Sequence, residues 1–153
     1  MEIVITFLVR LALVALFMPF SALDKIVDFV GAERQAMSIG IPRWEGAAMI
    51  AGGFTVELFA STGVLTGFAD RLSGLVLALY CVATALLYKR FWAADDLRLA
   101  GPSKGRELFW DFWKNVAVSG GFLLVTFGTT APAVQEAIDA LLASPFASTN
   151  PYG

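Results

Sequence analysis

Glu57 is the only charged residue between Gly46 and Leu65, and Arg10 interrupts an equally apolar run near the start of the chain. Charges in such surroundings pair or carry function, because each costs about 2.5–3.5 kcal/mol at the centre of a membrane helix. With Tyr80, Thr84 and Asn115 they make a set of acid, fixed cation, hydroxyls and amide. That set suits binding of a polar head-group or passage of a proton. A second group, Asp24, Lys25, Asp28, Lys89 and Lys114, lies nearer the ends of the apolar runs. There, long cationic side chains ordinarily reach for the membrane interface. The chain has one cysteine, Cys81, and no histidine. Those counts exclude an internal disulfide, Cys/His zinc patterns, histidine-ligated haem and any Ser-His or Cys-His nucleophile pair. No catalytic set and no metal site are expected, and Cys81 reads as a core residue.

The elements that must hold these side chains are apolar. Of 153 residues 58% are hydrophobic and 16% charged, whereas soluble domains carry about a quarter charged; the mean hydropathy is +0.71. Crossing ~30 Å of hydrocarbon takes ~20 mostly apolar residues. Segments near 3–23, 46–65, 72–88 and 112–127 suit that, separated by Gly40-Ile41-Pro42, Thr66-Gly67, Gly101-Pro102-Ser103 and Thr129-Thr130-Ala131-Pro132. The expected fold is an all-α integral membrane protein, with a four-transmembrane-helix bundle over 1–130. Residues 131–153 should add a short amphipathic helix, with Val134, Ile138, Leu141 and Leu142 at helical spacing, and an irregular tail. The first segment reads as a membrane helix rather than a removable signal, since its leading residues lack a positive charge and Phe20-Ser21-Ala22 is a poor cleavage site.

Lysine and arginine placement orients the bundle. Nine lie in the first-to-second and third-to-fourth connections, against Arg71 alone on the opposite side. Both termini should therefore face away from the cytoplasm. Trp44, Trp92, Trp110 and Trp113 then gather at the cytoplasmic boundary, as an aromatic belt or as a docking surface for other membrane subunits. The C-terminal helix is a second such surface. A net charge of −2 without a long basic run argues against nucleic acid. In this orientation Arg10 and Glu57 lie roughly 10 and 12 Å from the same outer face at 1.5 Å per residue, and an Arg10–Glu57 ion pair is expected. That pair reads equally as an interhelical strut or as part of a polar intramembrane site.

The order and spacing of several short pieces resemble the DoxX-like family of small bacterial membrane proteins over about residues 8–127. They are Arg10, Ser21-Ala22-Leu23-Asp24-Lys25 with Asp28, Ser38-Ile39-Gly40-Ile41-Pro42, Glu57 with Gly63 and Arg71, Phe91-Trp92, and Trp113-Lys114-Asn115 before Ser119-Gly120-Gly121. The resemblance implies a four-helix protein of the bacterial plasma membrane, associated with oxidoreductase systems such as thiosulfate:quinone oxidoreductase. Similar proteins often carry a histidine before the Phe-Trp pair. Lys89 stands there in this chain, a fixed cation suited to an anionic head-group or lipid phosphate. The leading expectation is an accessory subunit of a redox, quinone-linked membrane complex, with quinone or bound lipid as its ligand. A purely structural subunit and a small-molecule or ion permease are the alternatives.

Overall fold

The computed structural model describes residues 1–98 and 100–153. The chain is helical, with α1 (Glu2–Val14), a wide π-type turn (Leu16–Ser21), α2 (Ala22–Val27), α3 (Phe29–Met37), α4 (Arg43–Thr66) and α5 (Asp70–Tyr88). A short 3-10 turn (Phe91–Ala93) leads on to α6 (Lys104–Phe127) and α7 (Ala131–Ala143). No strand occurs among the described residues. Three stretches are long and apolar enough to cross a membrane: Glu2–Val27, Arg43–Thr66 and Asp70–Ala93. A fourth crossing is reached when α6 and α7, bent by 77° at their junction, count as one span. The reason is in α6 itself, whose first half carries Lys104, Arg106, Glu107, Asp111 and Lys114.

Local chemistry sets the breaks. Proline has no N–H and pushes the preceding residue out of helical geometry, and Met18 before Pro19 is non-helical (φ −118°, ψ 104°). Asp28 leaves the helix (φ −126°, ψ 60°) and accepts from the Gly31 N–H at 2.9 Å, capping α3. A Cβ on Gly31 would stand 2.0 Å from the Asp28 carboxylate, so this tight cap requires glycine. The α3 segment lies where the sequence suggests only a connection. Its mixed composition, FVGAERQAM, hides it from an apolar-run reading, yet Glu33 and Ala36 are buried. At the start of α6, Ser103 accepts from the Arg106 N–H, while the Asp96 carboxylate accepts from the N–H groups of Lys104 (2.7 Å) and Gly105 (2.9 Å). Those backbone donors, Gly105 first, hold the Asp96 carboxyl below its ordinary value. This polar start lies several residues ahead of the apolar run near 112.

The core collects on α5. Val14, Phe17, Val64, Leu77, Cys81 and Phe122 are buried together where α1, α4, α5 and α6 meet. Closeness between α5 and α6 depends on Gly74, where a Cβ would lie 2.7 Å from the Thr126 hydroxyl and 3.1 Å from the Phe122 carbonyl. Ser119 and Thr126 add hydrogen bonds to the carbonyls of Ala78 (3.0 Å) and Arg71 (3.1 Å).

Candidate functional site

Arg10 and Glu57 belong to two separate ion pairs and do not pair with each other. The Glu57 carboxylate is 2% exposed, roughly 21 Å along α4 from Arg43 and roughly 14 Å from Thr66 at 1.5 Å per residue. The Lys25 Nζ donates to both of its oxygens at 2.8 Å, and Ser21 and Tyr80 donate to Oε1 at 3.0 and 2.8 Å. The Ser21 hydroxyl also accepts from Lys25 at 2.7 Å. Ser21 and Lys25 stand four residues apart, so one helical face presents both. Tyr80 reaches Glu57 because Gly53 lies a turn earlier, where a Cβ would be 2.8 Å from the phenol oxygen. Four groups on three helical segments thus satisfy one another in apolar surroundings, as a buried pair requires.

Arg10 pairs instead with Asp70 at 2.7 Å and donates to the Val64 carbonyl at 2.7 Å. Asp70 is fully buried. Its other partners come from the end of the chain, where the Thr149 N–H and hydroxyl donate to it at 3.1 and 2.5 Å. Nearby, the Tyr152 hydroxyl donates to the Leu65 carbonyl and Pro151 packs over Gly67 (φ +86°). The irregular tail is therefore a strap over the α4–α5 turn. The expected pairing fails because equal depth does not fix a partner. Asp70 stands at the same end of the bundle as Arg10, at the first position of α5, while the broken first helix delivers Lys25 to Glu57. The burial of Asp70 and the inward reach of Lys25 to Glu57 are missing from the sequence reading. The available signal was a second acid beside an apolar helix start, on the Arg10 side.

Glu57, Lys25 and Tyr80 form one wall of a cavity of about 270 Å³, which Asp24, Thr84, Lys89 and Asn115 also line. Thr84 turns its hydroxyl to the carbonyls of Tyr80 (2.9 Å) and Cys81 (3.0 Å). Lys89 donates to Asp111 at 3.3 Å, and Lys114 meets the same carboxylate at 3.2 Å without lining the cavity. Asp28 is spent on its helix cap, and Arg10 is outside the cavity. No group of His, Cys, Asp and Glu suited to a metal ion occurs among the described residues.

The family model for DoxX matches residues 5–90, more than half of the chain. The chain belongs to the DoxX family. It is also 30% identical over 122 residues to the inner membrane protein YphA of Escherichia coli (strain K12), covering 80% of this chain and 81% of that protein. No solved structure gives a significant match. The DoxX match takes in both ion pairs and Tyr80, whereas Asn115 and the strap lie beyond it. Membership makes this a membrane protein, and the apolar helices of the DoxX bundle are its membrane-crossing segments.

Proposed function

We propose that this DoxX-family chain is an accessory membrane subunit of a redox, quinone-linked complex, and that its cavity takes the head of a quinone or a lipid. The observation carrying this reading is a polar recess of about 270 Å³ inside an apolar bundle, walled by a buried ammonium–carboxylate–phenol cluster. Ionisable groups are kept at such depth where they bind or relay something. The volume suits one small ring or head-group rather than a whole amphiphile, so an apolar tail would lie along the helices. Glu57, Tyr80, Thr84 and Asn115 line the recess, and a head-group reaches the Glu57 cluster by displacing one of its internal hydrogen bonds. The sequence has no motif for a resident electron carrier, so electron transfer belongs to a partner subunit. Trp44, Trp92, Trp110 and Trp113 are each about half exposed or more, which supports docking through that end. The bias of nine cationic residues against one supports a plasma-membrane orientation with both termini outside.

One observation favours a structural role for part of the molecule. Arg10 ties α1 to the ends of α4 and α5 outside the cavity, so it acts as a strut.

The test is purification in mild detergent, with mass spectrometry of co-purifying proteins and extracted lipids. A stoichiometric redox partner or a retained quinone supports the reading. A large non-redox assembly makes the chain structural throughout, and protein recovered alone moves the weight to transport, checked by proteoliposome flux.

A further inference from the structure

The cavity has two kinds of wall. On the Glu57 side every strong donor is committed: Lys25 has three acceptors, Ser21 and Glu57 are bonded, and the Tyr80 hydroxyl is given to Glu57. A ligand meets a closed, neutral cluster there. The rest of the polar lining is largely uncommitted. Among the described residues the side chains of Asp24, Tyr88 and Asn115 make no hydrogen bond to the protein, and Lys89 spends one contact of 3.3 Å on Asp111. Asp24 belongs to the membrane-crossing Glu2–Val27 stretch, and its neighbour Lys25 is turned inward to Glu57. Asp24 is exposed, three residues from the end of that stretch, and it lines the cavity with no ion-pair partner among the described residues.

We propose that the cavity binds a zwitterionic head-group carrying a primary ammonium and a phosphate, as in an aminophospholipid. Its ammonium lies toward Asp24, and its phosphate lies toward Lys89, Tyr88 and Asn115. Each half is complementary to the lining: a cation with N–H donors for Asp24, and acceptor oxygens for the Lys89 ammonium, the Tyr88 phenol and the Asn115 amide. Size agrees, since about 270 Å³ holds about nine waters at ~30 Å³ each, close to the about eight non-hydrogen atoms of phosphoethanolamine. A neutral quinone would answer the donors and leave Asp24 without a partner. The inference rests on the proposal that the cavity takes an amphiphile, and names which one.

The test is native mass spectrometry of the full chain in detergent, offered equal amounts of phosphatidylethanolamine, phosphatidylglycerol and phosphatidylcholine. Retention of the ethanolamine lipid about tenfold over the glycerol lipid is expected, as one charge-assisted hydrogen bond allows. Asp24→Asn should abolish that preference. Lys89→Met should weaken retention of all three phospholipids, and Tyr88→Phe, which keeps the ring and leaves the Asp111 pair undisturbed, should weaken it to a smaller extent. Displacement of the lipid by soluble phosphoethanolamine would support the same chemistry with the free zwitterion as its source. Equal retention of the ethanolamine and glycerol lipids, or a preference that survives Asp24→Asn, overturns the inference. A quinone held in place of lipid overturns it and leaves the redox-subunit reading standing. Ethanolamine lipid retained without any redox partner does the reverse.

Discussion

Replacing Lys25 by Met tests whether Glu57 depends on its ammonium. The lysine side chain is 14% exposed and that of Glu57 3%, so solvent screens the pair weakly. Without Lys25, the carboxylate keeps only the hydroxyls of Ser21 and Tyr80. Removing one partner of a buried pair costs about 3–5 kcal/mol, because the remaining charge stays desolvated. For a chain of this size 1 kcal/mol moves the melting temperature by roughly 2–4 °C, so a drop of roughly 6–20 °C is expected. Removing Glu57 as well should recover much of it: Lys25→Met with Glu57→Met leaves no bare charge, and an interaction energy of about 2 kcal/mol is expected. The assay is thermal unfolding in one detergent, followed by size-exclusion of the fluorescently tagged protein. Lys114→Met, on a side chain 72% exposed, is the control. The reasoning is refuted if Lys25→Met melts with that control, or if the double variant falls as far as the two single losses added together.

Two further outcomes follow from the ends of the bundle. Thr149→Val keeps the backbone N–H on Asp70 and removes the hydroxyl donor at 2.5 Å; a loss of about 1–2 kcal/mol is expected, with faster hydrogen exchange at the α4–α5 turn, and unchanged exchange there would show that the strap does not hold that end. The Asp96 carboxyl is held below its ordinary value by the α6 backbone, so its contribution is complete above that ordinary value and fades as pH falls through the lowered folded one. Asp96→Asn should therefore lower stability at neutral pH and flatten its decline below about pH 4, and an unchanged acid limb in melts against pH would count against the cap.

The helical class was legible because long apolar runs admit few alternatives. The same runs marked Glu57 and Arg10 as unusual. Their partners were not legible. Depth counted along straight helices ignores the break at Met18, which lets Lys25 reach inward instead of toward the interface. Asp70 immediately follows Gly67-Phe68-Ala69, just past the Thr66-Gly67 break, and nothing in the sequence marks its carboxylate as fully buried. Hydropathy reports how apolar a stretch is, and says nothing of which polar residue answers another. The short α3 and the strap were hidden for the same reason, since both are held by specific contacts rather than by an apolar period.

The strap also imposes an order in time. Asp70 can meet Arg10 early in synthesis, but Thr149 follows it by 79 residues. At ~5–20 residues per second the ribosome needs roughly 4–16 s to supply it. During that interval the nascent helical hairpin carries a half-answered carboxylate, and the arrival of Thr149 closes it. Chains terminated before Thr149 never pass that point, so they remain distinguishable from chains that include it to any protease that surveys newly inserted membrane proteins.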